Sequence, residues 1–244
     1  PTILVLAMFY VGWVGFKEMR TVPEGATVVQ VTGRMWSWLF EYPNGKKSDV
    51  LKVPVGKPVK LELNSIDVLH SFYVPAFRIK EDAVPGMNNY LWFNPTEVGT
   101  YDVQCAEYCG LRHSYMLTKV EVLPEEDFQK WYAADGLVAK AGVEAEGVPR
   151  GLELLKVKGC LACHTTDGSP LVGPTFKGAF GRPSTVVSGG QEQTVVVDEA
   201  YVRKSMLEPQ GDIVKGFPPI MPSQKGLVTE EEMQEIIAYL KTLQ

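Results

Sequence analysis

The chain has 244 residues, of which 45% are hydrophobic and 22% charged, and a net charge of −5 from 24 basic and 29 acidic residues. That length suggests one or two domains able to bury a core, and the composition excludes disorder, collagen and mucin-like stalks. No basic patch stands out, so no nucleic-acid partner is expected, and the four cysteines and three histidines are few enough for their positions to carry most of the chemistry.

Pro1–Phe16, PTILVLAMFYVGWVGF, has no charge, and Lys17-Glu18-Met19-Arg20 ends the run. Sixteen helical residues span about 24 Å, short of the ~20 that cross a bilayer. With Pro1 in place of Met, residues 1–20 read as the outer end of a transmembrane helix that begins upstream. A signal-peptide core is the alternative, but no basic stretch precedes the run and no A-x-A site follows it.

Residues 21–124 read as β. Lys60–Asn64 and Thr100–Cys105 alternate polar and apolar side chains. Val28–Tyr42 and Met116–Leu123 are rich in β-branched and aromatic residues. Pro and Gly punctuate at residues 43–45, 54–56, 85–86 and 98–99. Short strands at this spacing predict an antiparallel sandwich or Greek-key barrel.

Just after the last of these alternating runs comes CAEYCGLRHSYM, Cys105–Met116. Thiolate, imidazole and thioether are soft donors that suit copper, and a mononuclear blue-copper loop would supply one Cys, one His and one Met. Here there are two cysteines, Cys105 and Cys109, and two thiolates can bridge two metal ions. Each copper would then need an imidazole, and His70 joins His113 as the remaining candidate. A disulfide is the alternative for the cysteine pair in an oxidising compartment; zinc is another, for which Met116 is a poor ligand.

The run resembles subunit II of cytochrome c oxidases, with its binuclear CuA centre. His70–Pro75, then Asp82–Gly86, then Cys105–Met116 look like that family's signature in order, and Gly33–Tyr42 is similar to its aromatic region. The resemblance covers residues 1–135 and implies an all-β cupredoxin-like Greek-key barrel over 21–135. It implies that Cys105 and Cys109 bridge the coppers and that His70 and His113 are the terminal imidazoles. Met116 would be a weak ligand to one copper and the Glu107 carbonyl its counterpart on the other. The Glu107 side chain would reach a Mg²⁺ site shared with the catalytic subunit. Trp36 would be the surface aromatic where electrons enter; a tryptophan in a strand otherwise mostly packs. Quinol oxidases share the subunit without the copper ligands, and all the ligand types are present here.

Glu125–Ala134 spaces Phe128, Trp131 and Tyr132 as one helical face and predicts a short helix closing this domain, its acidic residues at the favourable end. Residues 125–149 hold two basic and six acidic residues, between blocks that are nearly neutral. Residues 136–149, small and mixed, read as a flexible linker between domains.

Residues 150–244 carry Cys160-Leu161-Ala162-Cys163-His164, the c-type haem attachment pattern. Both thiols would add to the haem vinyls while His164 ligates iron. A thioredoxin-like pair would need a βαβ pattern, and a zinc site would need more Cys or His than the copper loop leaves. No histidine remains for the sixth ligand. Met221, in the proline-rich loop Gly216–Pro222, is favoured over Met206, which lies in a helical pattern that more often means core. The block resembles class I cytochromes c, which implies an all-α fold with Gly173–Phe176 backing the haem. Thr229-Glu230-Glu231-Glu232 reads as a capping box, followed by an apolar face at Met233, Ile236, Ile237 and Leu240. In that family this helix packs on the first one, near Gly151–Lys158.

Together these readings describe a multidomain electron-input subunit of a caa3-type haem–copper oxidase. It would be anchored in the bacterial plasma membrane with its domains on the periplasmic side. Electrons would come from cytochrome c or a quinol–cytochrome c reductase, pass through one covalent haem c and CuA, and leave to catalytic subunit I, among other oxidase subunits. The alternatives are the electron-input subunit of a CuA-containing nitric oxide reductase, or a copper-delivery or redox-sensing module.

Overall fold

The computed structural model describes residues 1–134 and 149–243 and divides into two compact units. The linker expected at 136–149 lies, apart from Pro149, outside the described residues.

In the first unit the apolar run forms helix α1, Thr2–Arg20. It is longer than the uncharged stretch because Lys17–Arg20 continue it, with Lys17 and Arg20 placed where the helix dipole favours cations. Its 19 residues are long and apolar enough to cross a membrane, and none is buried within the unit. The last turn is fastened to the domain that follows. The Trp92 indole N–H donates to the Met19 carbonyl (2.8 Å) and the Tyr90 hydroxyl to that of Arg20 (3.0 Å). The Arg20 guanidinium pairs with Glu81 at 2.5 Å and lies 4.3 Å over the Tyr90 ring.

Ten strands follow: β1 Thr27–Arg34, β2 Ser37–Glu41, β3 Lys47–Ser48, β4 Leu51–Pro54, β5 Val59–Ser65, β6 His70–Val74, β7 Ile79–Ala83, β8 Asn89–Phe93, β9 Gly99–Cys105 and β10 Leu117–Leu123. They form two five-stranded sheets, β3-β2-β1-β5-β8 and β4-β10-β9-β6-β7, the cupredoxin-like arrangement expected. The sheets are not purely antiparallel. β1 pairs with β5, and β4 with β10, in parallel. Each parallel pair is separated in the chain by strands of both sheets, as a Greek-key path requires.

The alternation in β5 buries Val59, Leu61, Leu63 and Ser65. Phe72 anchors the core, 5.3 Å edge-on from Trp38 and 6.1 Å from Phe40. Each such side chain contributes roughly 1.5–3 kcal/mol on burial. Helix α2, Glu125–Ala133, closes the unit with Phe128 buried and Trp131 5.0 Å from Tyr42.

The second unit is built on the crossing of α3, Arg150–Val157, with α5, Glu230–Leu240. Leu154, Leu155 and Val157 are buried, as are Met233, Ile236, Ile237 and Leu240. The capping box is present, with Thr229 and Glu232 each bonding the other's backbone. Glu232 also holds Lys158 at 2.6 Å, and Lys158 donates to the Leu227 carbonyl at 2.8 Å. Between these helices lie α4, Glu199–Leu207, and a three-stranded antiparallel sheet of β11 Pro183–Ser188, β12 Gln191–Val196 and β13 Ile213–Val214. The sheet is an addition to the helical fold expected. Its hairpin turns on Gly189-Gly190, both at positive φ, the conformation a two-residue hairpin loop demands.

The helix crossing depends on Gly151. A Cβ there would stand 2.2 Å from Tyr239 Cβ and 2.6 Å from the Glu235 carbonyl oxygen. Gly151→Ala should therefore destabilise this unit by about 1–3 kcal/mol, lowering its denaturant midpoint and leaving the sandwich transition in place. An unchanged midpoint in the full chain would show that α3 and α5 can separate without cost.

Candidate metal and haem sites

The sandwich brings the soft donors together at one end. His70 opens β6 and Cys105 closes β9, on neighbouring strands of one sheet. The loop that leaves Cys105 returns at Met116, whose carbonyl accepts the Cys105 N–H at 3.2 Å. The two sulfurs stand 3.7 Å apart, far beyond the roughly 2.05 Å of a disulfide. His70 Nδ1 lies 3.9 Å from Cys105 Sγ, and His113 Nδ1 lies 3.5 Å from Cys109 Sγ. Met116 Sδ is 3.8 Å from Cys109 Sγ, and the Glu107 carbonyl is 3.2 Å from Cys105 Sγ. The donor atoms of His70, Cys105 and Cys109 all fall within 4.8 Å of one another, and these residues and Met116 are buried.

The electrostatics fit a cationic occupant. Burial opposes ionisation of Cys105, but hydrogen bonds from His70 and the backbone outweigh it and bring the thiol down to about 6. Burial and the adjacent Cys105 thiolate push Cys109 up to about 12. One thiolate forms readily and the second does not, unless positive charge arrives with it. Soft sulfur and imidazole donors on both sides of the sulfur pair suit two copper ions better than one zinc.

Three supporting residues escape a reading of the sequence. Asp67 Oδ1 lies 2.9 Å from His70 Nε2 and its other oxygen accepts the Met35 N–H at 2.7 Å. Burial raises the Asp67 carboxyl, but the His70 and backbone bonds hold it below the usual range. With Nε2 bonded to Asp67, Nδ1 is the His70 nitrogen that faces the sulfurs and would ligate metal once it gives up its bond to Cys105. The Asp67-x-x-His70 spacing was the available signal. Gly33 leaves room for His70, since a Cβ would sit 3.0 Å from its ring. Gly110, at φ +113, lets the loop pass over Trp36.

Trp36 itself differs from expectation. It is 6% exposed, not a surface side chain, and its indole N–H donates to the Cys109 carbonyl at 3.1 Å. The aromatic and aliphatic side chains exposed on the Cys105–Met116 loop are Tyr108 (80%), Leu111 (69%) and Tyr115 (67%). The Glu107 side chain is partly exposed and pairs with Lys80 at 3.4 Å.

In the second unit, Gly159 at φ +72 ends α3 and turns the chain into a 3₁₀ turn over Cys160–Ala162. His164 follows directly. Its Nδ1 is 2.7 Å from the Pro174 carbonyl, and its ring stacks on Phe176 with centroids 4.5 Å apart. Gly173 packs so close that a Cβ would lie 2.8 Å from the His164 ring. Desolvation keeps this imidazole neutral, against the Pro174 bond. The Nδ1 proton is therefore committed and Nε2 is the atom left to ligate iron, which fits haem attachment at Cys160 and Cys163. Gly173–Phe176 sits behind His164, where a backing loop was expected. Met206 is buried on α4, whereas Met221 lies in a loop, half-buried, with its carbonyl accepting from Gln210 at 3.2 Å.

A buried soft-donor cluster in a two-sheet domain and a haem-attachment turn in a helical one define a chain with two redox-cofactor sites. Residues 46–123 match the cytochrome c oxidase subunit II periplasmic domain, and residues 148–244 match cytochrome c. One chain thus carries a region similar to a subunit II periplasmic domain, a family that implies CuA copper, and a region similar to cytochrome c, a family that implies haem c.

Cytochrome c oxidase subunit 2 of Alkalihalophilus pseudofirmus is 32% identical, over 91% of this chain and 63% of that protein. Alternative cytochrome c oxidase subunit 2 of Bradyrhizobium diazoefficiens is 41% identical, over 52% of this chain and 57% of that protein. The chain therefore spans about six-tenths of the length of these curated relatives. The crystal structure of the periplasmic domain of subunit II of cytochrome oxidase from Bradyrhizobium japonicum aligns with TM-score 0.44 at 29% identity, covering 46% of this chain and 94% of that one.

Asp67→Asn keeps the size of the side chain but removes its control of the His70 tautomer. Copper affinity, measured by competition with a chelator, should fall about 10–100-fold, with the fold intact by circular dichroism. Unchanged affinity would mean that Asp67 only braces the backbone at Met35.

Proposed function

We propose that this chain is the electron-input subunit of a caa3-type cytochrome c oxidase. One observation supports this reading above the others: a copper-type donor cluster and a covalent haem motif occur in a single chain. A delivery or sensing module needs only one of them. In this reading residues 1–20 anchor the chain in the plasma membrane, 21–135 hold copper, 136–149 tether, and 150–244 carry the haem.

Cys105, Cys109, His70, His113, Met116 and the Glu107 carbonyl are the proposed copper ligands. Cys160, Cys163, His164 and Met221 are the proposed haem contacts. Bound there, the two groups supply reversible one-electron storage. The chain's own part is to hold their ligands rigid and dry. Asp67 and Pro174 do so by fixing the imidazole tautomers, and Gly110 and Trp36 by holding the loop backbone. Cytochrome c or a quinol–cytochrome c reductase is the proposed donor, and catalytic subunit I the proposed acceptor. The exposed Tyr108, Leu111 and Tyr115 are suited to a partner surface. The Glu107 carboxylate, released from Lys80, is the proposed contribution to a Mg²⁺ shared with that subunit. Trp36 is the proposed point where electrons reach the copper, through its bond to the Cys109 carbonyl.

Metal analysis of the full chain should give two coppers and one iron. One copper per chain, or a localised mononuclear spectrum, would refute the bridging arrangement. Co-purification of an oxygen-reducing subunit supports the oxidase reading, and a nitric oxide reductase subunit in its place would refute it.

In the assembled complex, Trp36→Ala should slow reduction of the copper site while both sites stay loaded; an unaffected rate would place electron arrival elsewhere. Met221→Ala should lower the haem potential, because a thioether favours ferrous iron. A normal spectrum in that variant, with a perturbed one in Met206→Ala, would assign the ligand to Met206.

A further inference from the structure

Beside the last turn of α1 the first unit opens into a cleft of about 820 Å³. Phe16 and Met19 of the helix form one wall, and Phe77, Tyr90 and Trp92 are among the side chains that line the rest. Basic groups come from Arg20, Arg78 and Lys80, and acidic ones from Glu81 and Glu97. Arg20 and Glu81 are paired with each other. Lys80 is shared with Asp82 and Glu107, each at 3.4 Å. Arg78 is different: it is exposed, and among the described residues its guanidinium has no carboxylate partner. It is also the only non-glycine residue described with a positive φ, +57. The 3₁₀ turn Pro75–Phe77 ends on it.

Aromatic rings with an unpaired guanidinium, at the end of an apolar helix, form the combination that suits the membrane–water boundary. Resting on the reading of α1 as a membrane anchor, we infer that this cleft seats the phosphodiester headgroup of an anionic phospholipid. Arg78 binds the phosphate, and Tyr90 and Trp92 flank the glycerol region. The acyl chains run back along the exposed apolar face of α1, whose residues 2–19 are all exposed within the unit. The cleft's volume lies within the range usual for small-ligand sites. Glu97 faces the same space and repels the phosphate, so the preference for anionic lipid is carried by Arg78.

The test uses the full chain, delipidated in detergent and offered phosphatidylglycerol, phosphatidylcholine or inorganic phosphate, with bound species counted by native mass spectrometry. One phosphatidylglycerol should be retained at least about fivefold better than phosphatidylcholine, whose phosphodiester is offset by choline; that is the factor expected for one basic residue at an anionic lipid surface. Arg78→Asn and Arg78→Gly both tolerate a positive φ, so both should fold, keep the copper signal, and lose the preference. Equal retention of the two lipids, or a preference that survives both variants, would overturn the inference. Displacement of the lipid by inorganic phosphate would overturn it in favour of a simple anion site. A photocrosslinker at position 78 that captures another oxidase subunit instead of lipid, in the assembled complex, would overturn it in favour of a protein contact. A chain that fails to enter nanodiscs would count against the anchor itself. A chain that enters them and shows no headgroup preference would count against the cleft alone.

Discussion

Two sulfur atoms 3.7 Å apart in a buried pocket cannot both be anionic without a neighbouring cation. The first unit is organised around that constraint. The sheet places Cys105 at the end of one strand and His70 at the start of its neighbour. The loop then brings Cys109, His113 and Met116 to the same spot. His70 is buried, and its far nitrogen is bonded to Asp67. His70 and the backbone support one thiolate, at Cys105, but among the described residues no group offsets a second: burial and the Cys105 thiolate hold Cys109 protonated. The protein leaves that charge to be balanced by metal, and so the pocket selects for it.

The helical unit solves a related problem differently. Its proposed ligand, His164, is kept neutral by desolvation and held in one tautomer by the Pro174 carbonyl. The scaffold behind it depends on close approach of two helices at Gly151 and on the Lys158–Glu232 pair. Removing either partner of that pair would leave a nearly buried charge unmatched. Glu232 carries two duties, as helix cap and as counter-ion to Lys158.

Much of this was legible in the sequence because it is local. The alternation of β5 and β9, the capping box at Thr229, the copper loop and the haem motif each declare themselves within a dozen residues. Long-range features did not. The parallel pairing of β1 with β5 is set by which sheet the chain crosses to, and alternation is silent on that. Gly33 is demanded by His70, a neighbour only in the folded chain. Trp36 looked like a surface aromatic by resemblance, but the loop folds over it because Gly110 has no side chain to prevent this. The hairpin at Gly189-Gly190 had a visible turn signal between β-branched runs. The resemblance to class I cytochromes c implied an all-α block, in which such a hairpin has no place.

The fastening of α1 has a mechanical meaning. A helix ordinarily ends with its last carbonyls seeking partners, and here two successive ones, on Met19 and Arg20, are taken by side chains of one strand. Successive residues lie about 100° apart around the axis, so two bonds fix the azimuth of the helix as well as its contact point. The helix cannot spin under the sandwich without breaking both. Helix and sheet then turn as a single lever, and a change in helix tilt is translated into a swing of the far end of the sandwich.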